Sequence, residues 1–406
     1  MRSLMIFVAA IAALAIARPA GAVTCPGDPA CCSSLPNPIY AQVGDTQTNL
    51  MRAFSRALRD NTPEPMTLVF ITSPSCTNID DFYNHTAAIT GTMQYAPSIA
   101  QSPTWNIFTS PTLTCTPDPG QFPDIGNSAV FISSCTTQAV PTTVFEETGG
   151  IQAYVLAVPR ASDQIAITFE EAYFVFGFGM AGMIMPWTDT TQFFIRKTTT
   201  STLLTWAANI AVPAAKWMGT QEAGSPQVVQ ALQQTANPEA AIGILGAEVY
   251  DANRDTLKEL AFRSKDQYAA YFADSTETSF DRQNVRDGHY TVWSPTVWMV
   301  NTDGNGNAVK QDAKNVIDMI ANKQVTPAPN FDPLVLTAEV GLTPDCSMRV
   351  QRMTPMDGTP LSLYMPPEGS CTCKFLSIVD ETTCATCNSS NPCTSGVCRD
   401  GYCEEF

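Results

Sequence analysis

The segment FFIRKTTTSTLLTW, residues 193–206, sets one arginine at the end of a short apolar run and follows it with five hydroxyl side chains in the next six positions. FFIRK reads as a strand, and STLLTWAANIAV puts Leu203, Trp206, Ala207 and Ile210 at helical spacing before Pro213 ends the pattern. A strand that turns directly into a helix leaves the first N–H groups of that helix unpaired, facing the space beyond the strand end. Anions collect at such a terminus, drawn by free donors and the helix dipole. Arg196 adds a rigid fork of donors, and Thr200, Ser201 and Thr202 add hydroxyls. The same residues also suit plain helix capping and a threonine-rich strand, so this segment alone leaves a cradle for an anion and an ordinary turn both open.

Working outward, the same unit recurs. GDTQTNLMRAFSRAL (44–58) offers Asp45 or Thr46 as a helix cap and places Leu50, Phe54, Ala57 and Leu58 on one face. MTLVFI (66–71) is a continuous apolar run, the mark of a strand covered on both sides, and it leads into TSPSCTNIDDFYN, where Ser73, Ser75 and Thr77 are candidate caps of a second helix. Further strands are predicted over 152–159, 240–246, 259–263 and 291–301, and a helix over 313–323 with Val316, Ile317 and Ile320 inward. Alternation of buried strands and helices predicts an α/β architecture in two parts.

The ends are different. Arg2, an apolar run from Leu4 to Ala17 and the small residues Ala20-Gly21-Ala22 read as an export signal over residues 1–22. No later stretch reaches the ~18 apolar residues a membrane span needs. Fourteen cysteines fall six before residue 136 and eight after residue 345, with none between. In an exported chain these predict disulfides rather than zinc, and the terminal CATCNSSNPCTSGVCRDGYCEEF is too short for an apolar core of its own. TPAPNFDP (326–333) reads as a linker before that module.

A net charge of −16 with no basic cluster argues against a nucleic-acid partner. GFGMAG (177–182) meets the dinucleotide pattern GxGxxG, yet Pro186 follows too soon for a long helix and no acidic residue stands near the ~20-residue offset that reads a ribose, so no cofactor is expected. DGNGN (303–307) lacks the glycine and glutamate of a calcium loop and reads as a turn. With only His85 and His289 and no GxSxG, nothing pairs a nucleophile with a base, and the chain is read as a binding protein, not an enzyme.

The order of these segments resembles the periplasmic solute-binding proteins of type II topology, in particular the phosphate-binding proteins of ABC transporters. IYAQVGDTQTNLMRAF is similar to the family's first loop and helix, FITSPSCTNI to its second phosphate loop, PDIGNSAVF to its DIGxSD segment, FIRKTTTSTLL to its RxDGSGT loop, and EAAIGILGAEVY to its IGYxxxxYA segment. The resemblance covers roughly residues 35–325. It implies a two-lobed fold with a small disulfide-rich C-terminal tail: residues 23–158 open the first lobe, 159–288 form the second, 289–326 return to the first, and 327–406 hold the proline linker and cysteine-rich module. It further implies ligand contacts from Arg196, Thr200 and Thr202 in the second lobe and from Thr46, Ser75 and Ser128 in the first, with Thr77 and Ser201 supplying hydroxyls at the same helix ends. The sequence departs from the family at Ala129 and Thr198, where aspartates are usual, and at Thr199 and Ser201, where glycines are.

The expectation is a monomeric, exported protein, periplasmic or at the cell surface, that holds a small phosphate-like oxyanion in an interdomain cleft and serves an ABC permease. The alternative is a ligand-free surface, matrix or adhesion protein on the same scaffold, with a protein partner.

Overall fold

The computed structural model describes residues 25–62, 64–85, 87–355, 361–379, 382–388 and 391–404. The export signal expected over 1–22 lies outside them. The first lobe contains β1 (Pro38–Val43), α1 (Thr48–Arg59), β2 (Thr67–Thr72), α2 (Ser75–Asn84), β3 (Met93–Tyr95), β4 (Leu113–Cys115) and β5 (Ile125–Ser128). β1 runs parallel to both β2 and β5. Its buried face-to-face position explains why IYAQV and MTLVF carry almost no alternation.

β6 (Val144–Pro159) is sixteen residues long and belongs to both lobes. Its residues 144–153 pair antiparallel with β13, and residues 154–159 pair with β10 and β11. The second lobe follows with β7 (Ala166–Thr168), α3 (Phe169–Phe178), β8 (Phe193–Arg196), α4 (Ser201–Asn209), β9 (Thr220–Glu222), α5 (Ser225–Gln234), β10 (Ile242–Gly246), α6 (Ala247–Asp251), β11 (Leu257–Glu259), β12 (Ala261–Arg263) and α7 (Gln283–Arg286). β13 (Trp293–Asn301) and α8 (Gln311–Ile320) return to the first lobe. The main sheet therefore reads β4-β3-β2-β1-β5-β13-β6-β10-β8-β9, with β6 and β13 as its continuous middle.

Each half has its own core. Leu50, Phe54, Phe70, Trp298, Val316 and Ile317 lie in the first, and Tyr154, Phe176, Phe193, Trp206, Phe262 and Trp293 in the second. Two cores of this kind make two lobes. The single strand expected over 259–263 is two, because the chain leaves β6 after Glu259 and pairs Ala261–Arg263 with β7.

The linker expected after residue 326 is packed structure. Phe331 meets Phe54 edge-on at 6.1 Å, and α9 (Pro333–Glu339) with Val340 and Leu342 covers the first-lobe core. Its prolines sit beside a helix whose first turn tolerates them, which is why composition alone suggested a spacer. The remainder holds β14 (Val350–Gln351), β15 (Ser362–Leu363), α10 (Thr372–Val379), β16 (Val397–Arg399) and β17 (Tyr402–Glu404).

All fourteen cysteines are paired: 25–31, 32–115 and 76–135 at one end, 346–371, 373–384, 387–398 and 393–403 at the other. The tail is also held non-covalently. The buried Glu404 carboxylate accepts from the Cys373 and Lys374 amides, both at 3.0 Å, and so caps the start of α10. Among the described residues no helix is long and apolar enough to cross a membrane.

Candidate functional site

Four strand ends meet at the cleft between the lobes. β1 leads into Gly44–Asp45 and β2 into the Thr72–Ser75 turn; across from them, β8 ends at Arg196 ahead of α4, and β9 leads towards α5. Parallel strands placed this way aim helix N-termini into one crevice, the usual position of a ligand in α/β sheets. A cavity of about 190 Å³ lies there, walled by Gly44, Asp45, Ser73 and Ser75 from the first lobe and by Arg196, Lys197, Thr200 and Ser201 from the second.

Arg196 is the centre of the site. Only 3% of it is exposed, and its Nη2 donates to Asp45 Oδ2 at 2.7 Å across the cleft. That same carboxylate oxygen accepts from the Ser225 amide at 3.1 Å and the Ser225 hydroxyl at 3.0 Å, at the N-terminus of α5. Asp45 Oδ2 thus sits in a ring of three donors, all from the second lobe. Nε and Nη1 of Arg196 are buried with no acceptor among the described residues. A second contact closes the cleft, from the Cys76 amide at the start of α2 to the Thr199 carbonyl at 3.2 Å.

The hydroxyls expected from the sequence divide. Ser75, Thr200 and Ser201 line the cavity with Arg196. Ser75 Oγ accepts from the Ala129 amide at 3.3 Å, and Thr200 Oγ donates to the Lys197 carbonyl at 2.8 Å. Thr46 is buried just behind Gly44, where a Cβ would lie 3.7 Å from its hydroxyl and 3.8 Å from that of Ser75. Thr202 is fully buried within α4, away from the cavity, with no partner for its hydroxyl among the described residues. Ser128 does not reach the cavity either, since its hydroxyl donates to the Val130 carbonyl at 2.6 Å. Thr77 points to solvent from α2.

Below the cleft runs a chain of buried polar groups that the sequence did not disclose. Gln47 Nε2 donates to Gln152 Oε1 at 3.0 Å, and Gln152 Nε2 donates to Glu248 Oε2. Gly246 makes room for that carboxyl, because a Cβ there would lie 2.4 Å from both Glu248 oxygens. Burial pushes the Glu248 carboxyl up to about 8, against the downward pull of the Gln152 hydrogen bond and with a smaller upward push from Asp45 and Asp251. Tyr154, from the crossover strand, donates to the Ala129 carbonyl at 2.6 Å, and burial raises its phenol well above the ordinary value.

No family model matches the sequence, and no curated relative does. Solved structures do match. One from Clostridium perfringens, described as a phosphate ABC transporter substrate-binding protein with bound phosphate, superposes with a TM-score of 0.51 at 12% identity, over 76% of this chain and 99% of that one. The fold is that of a type II periplasmic binding protein. An ABC-type phosphate transport receptor from Vibrio cholerae aligns at 12% identity over 75% of this chain and 99% of that one, with a TM-score of 0.47.

Asp45 and Ser225 are the site residues that sequence reasoning missed. Asp45 stood in the notice of the helix-capping pattern only, and Ser225 within GSPQ carries a signal of its own, a glycine-serine-proline start to α5. What linked them to Arg196 is the approach of two lobes, 151 and 180 residues away from Asp45 along the chain.

Proposed function

We propose that this chain is an exported solute-binding protein that holds a small oxyanion in the interlobe cleft and delivers it to an ABC permease. The observation that carries this reading is the seat of Asp45 Oδ2. A guanidinium, a helix N-terminal amide and a hydroxyl converge on one carboxylate oxygen, and that donor set is equally a receptor for an oxygen of a free oxyanion. Arg196 is the clamp, with Ser75, Thr200 and Ser201 as hydroxyl partners and the lobes closing around the ligand. Binding rather than turnover suits the site, since His85 and His289 both lie on the surface away from the cavity.

Thermal melting and titration calorimetry with phosphate, sulfate, molybdate and small carboxylates test the proposal. A ligand-dependent rise in melting temperature that Arg196→Ala abolishes is the expected result; no heat with any of these anions, at either of two protein concentrations, overturns it.

A second reading has its own observation. Asp45 already fills the seat, and Cys76 to Thr199 already closes the cleft, so the scaffold holds itself shut without a solute. On that reading the protein acts as a surface protein through a protein partner. Absence of heat with every anion, together with a partner retained by residues 330–406, selects it.

A further inference from the structure

A second cavity, of about 630 Å³, lies between the β6–β13 pair and the C-terminal residues 345–353 and 364–368. It shares no wall residue with the interlobe cleft. Its size falls in the range of small-molecule pockets, roughly 300–1,000 Å³. The apolar part of its wall is aromatic and proline-bearing: Phe131 from the first lobe, Trp293 and Pro295 from β13, and Tyr364 and Pro366 from the C-terminal part. Rings of this kind favour a flat, apolar guest that can stack on them.

One charge in this wall has no counter-ion. Arg352 is only 6% exposed; its Nη1 donates to the Trp293 carbonyl at 3.2 Å, its Nη2 donates to the Thr291 carbonyl at 2.7 Å, and its Cζ stands 4.0 Å from the centroid of the Trp293 ring. These neutral partners fix the guanidinium without balancing its charge. Arg196 and Arg282 are also buried, and each meets an aspartate. Arg352 meets no carboxylate among the described residues, and burial pushes it down to about 9 with nothing pulling it back. It stays charged at neutral pH in a dry setting. Its Nε and the Nε1 of Trp293 are both buried donors without an acceptor among the described residues, where buried polar groups are ordinarily paired.

We propose that this cavity binds an aromatic carboxylate, its ring among Phe131, Trp293 and Tyr364 and its carboxylate as the counter-ion of Arg352. The acids of the same wall do not supply that counter-ion. Glu147 accepts from Lys323 at 2.5 Å, Glu146 accepts from the Tyr83 hydroxyl, Asp345 accepts from the Tyr364 hydroxyl, and Glu368 is exposed. A water in the adjoining void of about 10 Å³, which Arg352 and Trp293 also line, would satisfy a hydrogen bond but would bring no charge. The −16 net charge of the chain acts through solvent and is screened over about 8–10 Å, so it weighs little against a guanidinium in contact. A guest seated here touches both β13 and the C-terminal part, and so fastens one to the other.

The test uses the full chain and titration calorimetry with 1-naphthaleneacetate, indole-3-propionate and 4-phenylbutyrate, each beside its neutral amide. One equivalent of at least one acid is expected to bind, at least tenfold more tightly than its amide. Arg352→Met keeps an apolar stem of similar length and removes the preference for the acid. Thr148→Trp, at an exposed position of the cavity wall, blocks acid and amide alike. Circular dichroism melting verifies that both variants fold; if Arg352→Met does not, the acid preference of the wild type and its loss in Thr148→Trp decide the matter. No binding of any of the three acids, equal affinity for acid and amide, or an acid preference that survives Arg352→Met overturns the site. Binding that Arg196→Ala abolishes belongs to the interlobe cleft and overturns it as well.

Discussion

Asp45 Oδ2 and Arg196 Nη2 lie 2.7 Å apart across the cleft, each supplied by a different lobe. The pair ties the closed arrangement to the site itself, because the guanidinium that would clamp a ligand is the group that now holds the opposite lobe. On the proposed reading, an incoming oxyanion and Asp45 compete for one set of donors, and ligand affinity and cleft closure are linked through that competition.

Asp45→Asn removes the competing charge and leaves Arg196 buried without a counter-ion, a state whose cost favours opening. Small-angle scattering is expected to show a larger radius of gyration for the variant alone and the wild-type value once an oxyanion is added. Oxyanion affinity rises about tenfold, which corresponds to ~1.4 kcal/mol. Unchanged affinity and unchanged dimensions would mean that Asp45 does not compete for the ligand's place.

Glu248 provides a pH dependence with a definite sign. Its carboxyl is raised to about 8 in the folded chain from an ordinary value of 4.5, first by burial. Between those values the folded state holds a proton that the unfolded chain has released. This contribution is fully present below about 4.5 and is lost as pH rises through 8. Glu259, buried and likewise raised to about 8, acts in the same direction. Stability measured by denaturant titration is expected to fall between pH 5 and pH 8. Glu248→Gln, which cannot ionise, should flatten part of that slope and gain on the order of 1–3 kcal/mol relative to wild type at pH 8. An identical slope in the variant contradicts the assignment.

The second lobe carries a buried ionic cluster. Asp274 accepts from Arg282 and Arg254, each at 2.6 Å, and Asp251 accepts from the same two arginines. Burial raises Asp274 while its arginines lower it, and Asp251 beside them holds Arg282 well above the ordinary guanidinium value against its own burial. Asp274→Asn leaves two guanidinium groups sharing one carboxylate in a dry setting. The expected loss is about 3–5 kcal/mol, read as a lower midpoint in urea. A loss under ~1 kcal/mol would place the cluster in the class of weak surface pairs.

Much of this molecule was legible along the chain. Continuous apolar runs such as LVFI and IGILG disclosed strands covered on both faces, and the spacing of Val316, Ile317 and Ile320 disclosed the buried side of α8. Both signals arise from local periodicity. The segment 326–333 misled because its prolines punctuate a chain that is nevertheless packed, and packing of Phe331 on Phe54 is a contact between residues 277 positions apart. The hydroxyls were partly misread for a similar reason. A helix start can be recognised from Thr, Ser and Pro, but whether Ser75 or Thr77 faces the cleft depends on how the helix is rotated against the sheet.

By itself, then, the sequence determined the alternation of strands and helices, the confinement of disulfides to the two ends, and the position of one arginine at a strand end ahead of a helix. Only the tertiary structure decided what that arginine holds. The guanidinium meets Asp45 because β6 and β13 carry the chain between lobes and bring two strand ends face to face. The donors of Arg196 and Ser225 are met by a carboxylate of the chain itself, Asp45, a relationship made by distance in space and unmarked by any spacing in sequence.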